Sequence, residues 1–354
     1  MRFTYRSFDL RVHFGPGKLQ ELPSLLRAYN TVLIVASERW QPVVHNLQEA
    51  LPGNTVLHWS EITQHVPQVL VDQVSAFRQK HTPDAVVSIG GGSAIGLAKA
   101  LALDDYLPHF AVPTTFSGSE QTNIYGISRE GGKTTGRDDR VLPHTVIYDP
   151  DLTITMPRKL AVPSAMNAMA HLVEALYATA GNPVTRALAV EGMVAIRKGL
   201  QEIAATNGLT PKANERLLYG AYLAGKCLNE VSMVLHHKAA HVLGGTFGLE
   251  HSLVHTVLQA YVLAFQWPHL TPGQQADFQS ALDHRYPPRQ LLDLAAGGGA
   301  PTKLSEIGFK EEHTERAAME ILKKPYTHVA PVTKEGLIRL LRQACTGQLS
   351  EPNE

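Results

Sequence analysis

Ala85-Val86-Val87-Ser88-Ile89 is a short, largely β-branched run that stops at Gly90-Gly91-Gly92-Ser93, and Ala94 to Leu103 beyond it reads as an Ala- and Leu-rich helix. A continuous apolar run without alternation suits a strand covered on both faces, as in a parallel sheet. Thr31 to Ala36, Asn54 to Trp59 and His109 to Pro113 are runs of the same kind, and Val69 to Lys80 carries apolar residues at helical spacing. Strand, helix and strand in repetition predict a doubly wound parallel sheet. After about residue 155 the strand signals stop. Ala161 to Ala178, Val184 to Ala205, Asn214 to Leu228, Met233 to Leu243, Leu253 to Phe265, Thr314 to Lys323 and Lys334 to Cys345 all read as helices. Breaks fall at Pro183, Pro211, Pro272, Pro287-Pro288 and Gly297 to Pro301. At 354 residues the chain exceeds the usual single core. The expectation is an α/β domain over 1–155 and an all-helical domain over 156–354, with a cleft between them.

Lys plus Arg equals Asp plus Glu at 32 each, so net charge gives no reason to expect a nucleic acid or an anionic membrane as partner. No run of about 18 apolar residues suggests a membrane span, and the first residues lack the apolar stretch of a secretion signal. Cys227 and Cys345 fit no CxxC pattern and read as ordinary thiols of a reducing compartment. A cytoplasmic enzyme acting on a small molecule is expected.

A strand that ends in glycines and opens a helix lets the backbone approach a pyrophosphate and aims free N–H groups at it. The same residues also suit a plain structural turn, and they are not the GxGxxG fingerprint. Pro113-Thr114-Thr115-Phe116-Ser117-Gly118-Ser119-Glu120 follows another strand, which brings it to the same sheet edge. Its hydroxyls suit a phosphate or a nicotinamide amide. Candidate dinucleotide contacts are therefore Ser37, Gly90, Gly91, Gly92, Ser93, Thr114, Thr115, Ser117 and Ser119.

The informative members of the 17 histidines lie between His171 and His255. Asn167 with His171, His237 with His241, and His251 with His255 are each separated by four positions and share a helix face. Such imidazoles can ligate a metal, or they can bind substrate oxygens and donate a proton.

These segments together resemble the iron-containing alcohol dehydrogenase superfamily and, within it, the maleylacetate reductases. The stretches that carry the resemblance include Thr135-Gly136-Arg137-Asp138, Val146-Ile147-Tyr148-Asp149, Met166-Asn167-Ala168-Met169-Ala170-His171, Val173-Glu174-Ala175-Leu176-Tyr177 and His236-His237-Lys238 with His241-Val242-Leu243-Gly244-Gly245. It runs from the glycine turn to Pro331-Val332-Thr333. It implies the dehydroquinate synthase-like architecture, use of NADH or NADPH, and a homodimer. In the metal-dependent relatives an aspartate and three histidines hold a cation; the matching positions here are Asn167, His171, His237 and His251. A neutral amide compensates poorly for dehydrating a cation, so metal-free reduction of an unsaturated oxo-dicarboxylate is expected. His241, His237 and Lys238 then stabilise the developing enolate, with His171 and His251 orienting the substrate. Asn167, Arg137, Arg140 and Tyr125 complete the expected substrate contacts.

Several positions depart from the reductase pattern. Glu250 and Gln259 replace prolines, Gln121-Thr122-Asn123 replaces a threonine-proline run, and His328-Val329-Ala330 stands where Asn-Pro-Arg is common. They leave the exact substrate open. At the end of the first strand run, Ser37 with Arg39 tolerates a 2′-phosphate whereas Glu38 argues for NADH. Two other activities stay in view: a metal-dependent alcohol dehydrogenase, and a lyase or cyclase that recycles its dinucleotide.

Overall fold

The computed structural model describes residues 2–129, 132–323 and 329–351, the side chains of residues 132 and 133 apart; His328 lies outside them. The chain divides into two compact units, Arg6–Ile154 and Met1–Tyr5 with Thr155–Glu354.

The first unit contains β1 (Arg11–Phe14), α1 (Leu22–Leu26), β2 (Thr31–Ala36), α2 (Gln41–Ala50), β3 (Thr55–Trp59), α3 (Gln68–His81), β4 (Ala85–Gly90) and α4 (Gly92–Leu101). It continues with β5 (His109–Pro113), β6 (Ile124–Arg129), β7 (Gly132–Arg137) and β8 (Thr145–Tyr148). Six strands form one sheet in the order β1-β8-β5-β4-β2-β3, and every pairing in it is parallel. Along β2, Val32, Ile34 and Ala36 pack with Leu26, Val44 and Leu47, while Leu33 and Val35 pack with Leu70, Val74 and Leu97. Burial on both faces explains the unbroken apolar runs. The strand order reverses at β2, which has β3 on one side and β4 on the other. The carboxyl ends of β2 and β4, at Ala36 and Gly90, therefore flank the position where open sheets take their ligands.

The four expected strand runs are all present. Four further strands have no counterpart in the sequence reading. β1 and β8 are four residues each, too short for a periodic signal. β6 and β7 pair as a separate antiparallel hairpin, and β7, Gly-Lys-Thr-Thr-Gly-Arg, has no apolar residue to mark it.

The second unit is helical: α5 (Arg158–Tyr177), α6 (Pro183–Thr206), α7 (Pro211–Glu230), α8 (Leu235–Phe247), α9 (His251–Gln266), α10 (Pro272–Leu282), α11 (Pro287–Gly297), α12 (Thr314–Leu322) and α13 (Lys334–Thr346). Pro183, Pro211, Pro272 and Pro287 are the first residues of their helices, where the N–H that proline lacks would have no partner. Asn182, Thr210 and Thr271 cap three of these starts. Among the described residues no helix is long and apolar enough to cross a membrane.

Candidate active site

The two phosphate-binding candidates of the first unit touch. The amide of Thr114 donates to the Gly90 carbonyl at 2.9 Å, and Gly90 pairs with Pro113 across the sheet. Gly90 has φ near +157°, and a Cβ there would stand 2.7 Å from that of Ala94. A Cβ on Gly91 would stand 2.9 Å from Thr115 Cγ2. Glycine is thus required by close approach at both positions. No side chain caps α4, so its first amides are left to accept an anion. We expect Gly91→Val to displace Thr115 and to raise the Kd for NADH at least about tenfold, equivalent to about 1.4 kcal/mol; fluorescence titration measures it, and an unchanged Kd would count against this placement of the phosphates.

Lys99 holds these segments together from below. Wholly buried in α4, its ammonium donates to the carbonyls of Ser119 and Thr122 at 2.7 Å, to Thr122 Oγ1 at 3.0 Å and to the Ile124 carbonyl at 3.0 Å. Burial draws its pKa down to about 7, with Glu120 opposing and Arg137 adding to the shift. Glu120 is wholly buried and accepts from the Tyr148 hydroxyl at 2.7 Å. Burial pushes its carboxyl upward. Ser117 Oγ is buried with no hydrogen-bond partner among the described residues. Ser37 precedes the turn Glu38–Trp40, and the guanidinium of Arg39 lies over the Trp40 ring at 4.9 Å.

In the second unit, α5, α8 and α9 bring the histidines together. His171 stacks on His237 with ring centroids 4.7 Å apart and planes 19° apart. His237 lies 4.7 Å from His255, His255 4.3 Å from His251, and His251 5.6 Å from His241. Lys238 follows His237 on α8 and is partly buried. Asn167, one turn before His171, has its Oδ1 buried without a hydrogen-bond partner among the described residues; so do His171 Nδ1 and His237 Nε2. Burial, and then the neighbouring imidazoles, hold His171 and His237 well below the ordinary histidine pKa. Both are neutral at pH 7.

Glu174 organises this cluster, and sequence reasoning gave it no role. No local side chain caps α8. Instead the wholly buried Glu174 carboxylate on α5 accepts the amides of Val234 at 3.0 Å and His236 at 2.6 Å, facing the positive end of the helix. The same carboxylate meets His237 Nδ1 at 2.6 Å. Since its other partners are donors, the proton of that pair belongs on Nδ1, which leaves Nε2 of His237 with a lone pair. Burial pushes the Glu174 carboxyl up, while His236 and the backbone amides of Val234, His236 and His237 pull it back.

The remaining predicted contacts belong to the first unit and lie on or just after the β6–β7 hairpin. Arg137 donates to Asn123 Oδ1 at 3.1 Å. Arg140 turns back on Asp138, with Nη2 to Oδ2 at 2.7 Å. The Tyr125 hydroxyl covers Gly136, where an added Cβ would lie 2.6 Å from it. Three of the unusual residues are taken up by internal bonds. Asn123 also donates to Asp139 at 2.8 Å, Gln121 donates to the Tyr148 hydroxyl at 3.1 Å, and Gln259 donates to the carbonyls of Met166 and His255 at 3.0 Å. Gln259 thereby ties α9 to α5 beside Asn167.

The four positions that the resemblance matches to metal ligands hold three imidazoles and one amide. Asn167 brings no charge. His251 has its Nε2 in a hydrogen bond with His255 Nε2 at 3.1 Å. Among the described residues, the histidines whose nitrogens converge within 4.8 Å are His236, His237 and His255, and of these His236 and His255 already bond each other at 2.7 Å.

Comparison with known proteins agrees with the fold of both units. The family model of iron-containing alcohol dehydrogenases matches residues 10–150, and that of the family's C-terminal domain matches 161–345. The chain is 41% identical to the maleylacetate reductase of Pseudomonas sp. (strain P51), over 99% of this chain and 100% of that one. It is 38% identical to that of Sphingobium indicum, over 98% of each. The crystal structure of maleylacetate reductase from Rhizobium sp. strain MTP-10005 superposes with a TM-score of 0.94 at 34% identity, covering 99% of both chains. The chain belongs to the iron-containing alcohol dehydrogenase family.

Proposed function

We propose that this enzyme reduces maleylacetate, or a closely similar unsaturated oxo-dicarboxylate, with NADH or NADPH and without a metal. The observation that carries the reading is the cluster of the buried His171, His237 and His255 with the uncharged Asn167 beside it, where the metal-dependent relatives place an acid, on a chain so similar to maleylacetate reductases over its full length. Hydride passes from the dihydronicotinamide to the alkene carbon β to the ketone, and the electron pair moves onto the ketone oxygen as an enolate. A proton then goes to the α carbon, giving 3-oxoadipate and the oxidised dinucleotide.

A dianionic substrate raises the basicity of His237, so that Nε2 takes up a proton and can deliver it; Glu174 beneath supports the imidazolium, as a buried acid supports the histidine of a hydrolase triad. Lys238 and His241 stabilise the enolate oxygen. His171, His251 and Asn167 orient the substrate's oxygens. Arg137, steadied by Asn123, takes a carboxylate. Arg140, already paired with Asp138, has no part in this proposal. The enzyme is taken to be a cytoplasmic homodimer, for which light scattering should give twice the chain mass.

One observation favours a second reading: a histidine whose Nδ1–H is held by a carboxylate is also how metal-bound histidines are oriented. Metal analysis decides between them. Protein stripped with a chelator should oxidise NADH or NADPH with maleylacetate at the untreated rate. Activity that disappears and returns only with Fe²⁺ or Zn²⁺ would establish the metal-dependent reading instead. Oxidation of neither dinucleotide with maleylacetate would sink the substrate assignment.

A further inference from the structure

His255 is wholly buried, and both its ring nitrogens meet other imidazoles: Nδ1 meets His236 Nε2 at 2.7 Å and Nε2 meets His251 Nε2 at 3.1 Å. Burial keeps His236 and His255 neutral. With one proton on each of the three rings, two such bonds allow two proton arrangements. In one, donation runs from His251 through His255 to His236, and the His236 proton sits on Nδ1. In the other, it runs from His236 through His255 to His251. The Nδ1 of His236 is buried with no hydrogen-bond partner among the described residues. A proton there would be a stranded buried donor, the rarer and costlier defect. The second arrangement leaves only a lone pair at that end, and in it His251 accepts at Nε2 and carries its own proton on Nδ1.

We infer that His255, braced by His236, is a positioning residue that holds His251 in the Nδ1–H tautomer, making it a hydrogen-bond donor to substrate oxygen and withholding its Nε2 from a cation. The sequence spacing serves this directly. His251 and His255 are one turn apart on α9, and His236 reaches across from α8. His237 next to it is set in the complementary state by Glu174, with a lone pair at Nε2. The cluster thus presents one donor and one acceptor to an oxo-acid, each fixed by a buried partner.

The inference rests on the metal-free reading, and its test reads a tautomer and a cobalt affinity rather than activity. Long-range ¹H–¹⁵N correlation spectra of the whole enzyme, labelled at histidine and assigned by loss of the His251 signal in His251→Gln, report the tautomer. Wild type should show His251 as Nδ1–H. His255→Leu should move it toward Nε2–H, and His255→Gln, whose amide can still donate, should restore Nδ1–H. Titration with Co²⁺, followed by its visible absorption, should show at least about tenfold tighter binding to His255→Leu than to wild type or His255→Gln. An Nε2–H tautomer in wild type, or a tautomer and Co²⁺ affinity unmoved by His255→Leu, would overturn the inference. Should the leucine variant fail to fold, the wild-type tautomer alone decides. A metal requirement for activity would instead overturn the reading beneath it.

Discussion

Glu174→Gln should lower kcat for maleylacetate reduction about 10²- to 10³-fold, within the range that a positioned general acid–base group contributes. The carboxylate serves donors on both oxygens: Val234 N–H and His237 Nδ1 on Oε2, His236 N–H and the Tyr177 hydroxyl on Oε1. An amide can replace only one oxygen in kind. Its NH₂ group either faces Val234 and forces His237 into the opposite tautomer, or faces the amide of His236. One backbone N–H at the start of α8 loses its acceptor in either case, at a cost of about 1–3 kcal/mol. In the first case His237 presents N–H where it had a lone pair, and can no longer support a carboxylate-stabilised imidazolium. Steady-state kinetics with urea unfolding of the same variant separates the two effects. A kcat within threefold of wild type would remove Glu174 and His237 from proton transfer. A loss confined to stability would leave Glu174 only its capping role.

Glu174 also shows where sequence reasoning stopped. The strand ending at Gly90 and the loop at Thr114–Thr115 were legible because each signal is local: an apolar run, then residues whose backbone freedom or hydroxyls have few other uses. The i, i+4 histidine pairs were legible because a helix face is a local property. Glu174 offered no such pattern. Its partners on and before α8 stand 60 to 63 positions away in the chain, and it was legible only as a letter in a family stretch. A weak signal did exist, since α5 is apolar on almost every side from Ala161 to Tyr177 and an acid there must be buried and paired. The departures at Gln121, Asn123 and Gln259 raised a question about substrate. The structure gives them internal partners, so they bear on how the elements are tied together. The β6–β7 hairpin, with an apolar residue in only one of its strands, had nothing for a periodic reading to find.

Lys99→Met should destabilise the protein by about 3–5 kcal/mol, the cost of breaking a buried charged interaction by removing one partner. Methionine fills the space but takes one donor from each of the carbonyls of Ser119, Thr122 and Ile124, and removes the Lys99 charge that favours ionised Glu120. The pH dependence gives this a sign. In the unfolded chain the lysine titrates near its model value of 10.5, whereas in the folded protein burial brings it to about 7. Between those values the unfolded chain binds a proton that the folded protein does not, so stability rises with pH across the window and is lost as pH falls toward 7. The urea midpoint of wild type should therefore gain on that of Lys99→Met as pH is raised from 7 toward 10. A gap that stays constant would mean that Lys99 keeps its proton throughout. The same loop carries Ser117 and Ser119 and begins at Thr114–Thr115, so its loosening should also raise the KM for the dinucleotide. Because Lys99 grows from the helix that the glycine turn opens, one buried lysine sets the spacing of both phosphate-binding candidates, and a variant that loses stability with an unchanged dinucleotide KM would show that their spacing is fixed elsewhere.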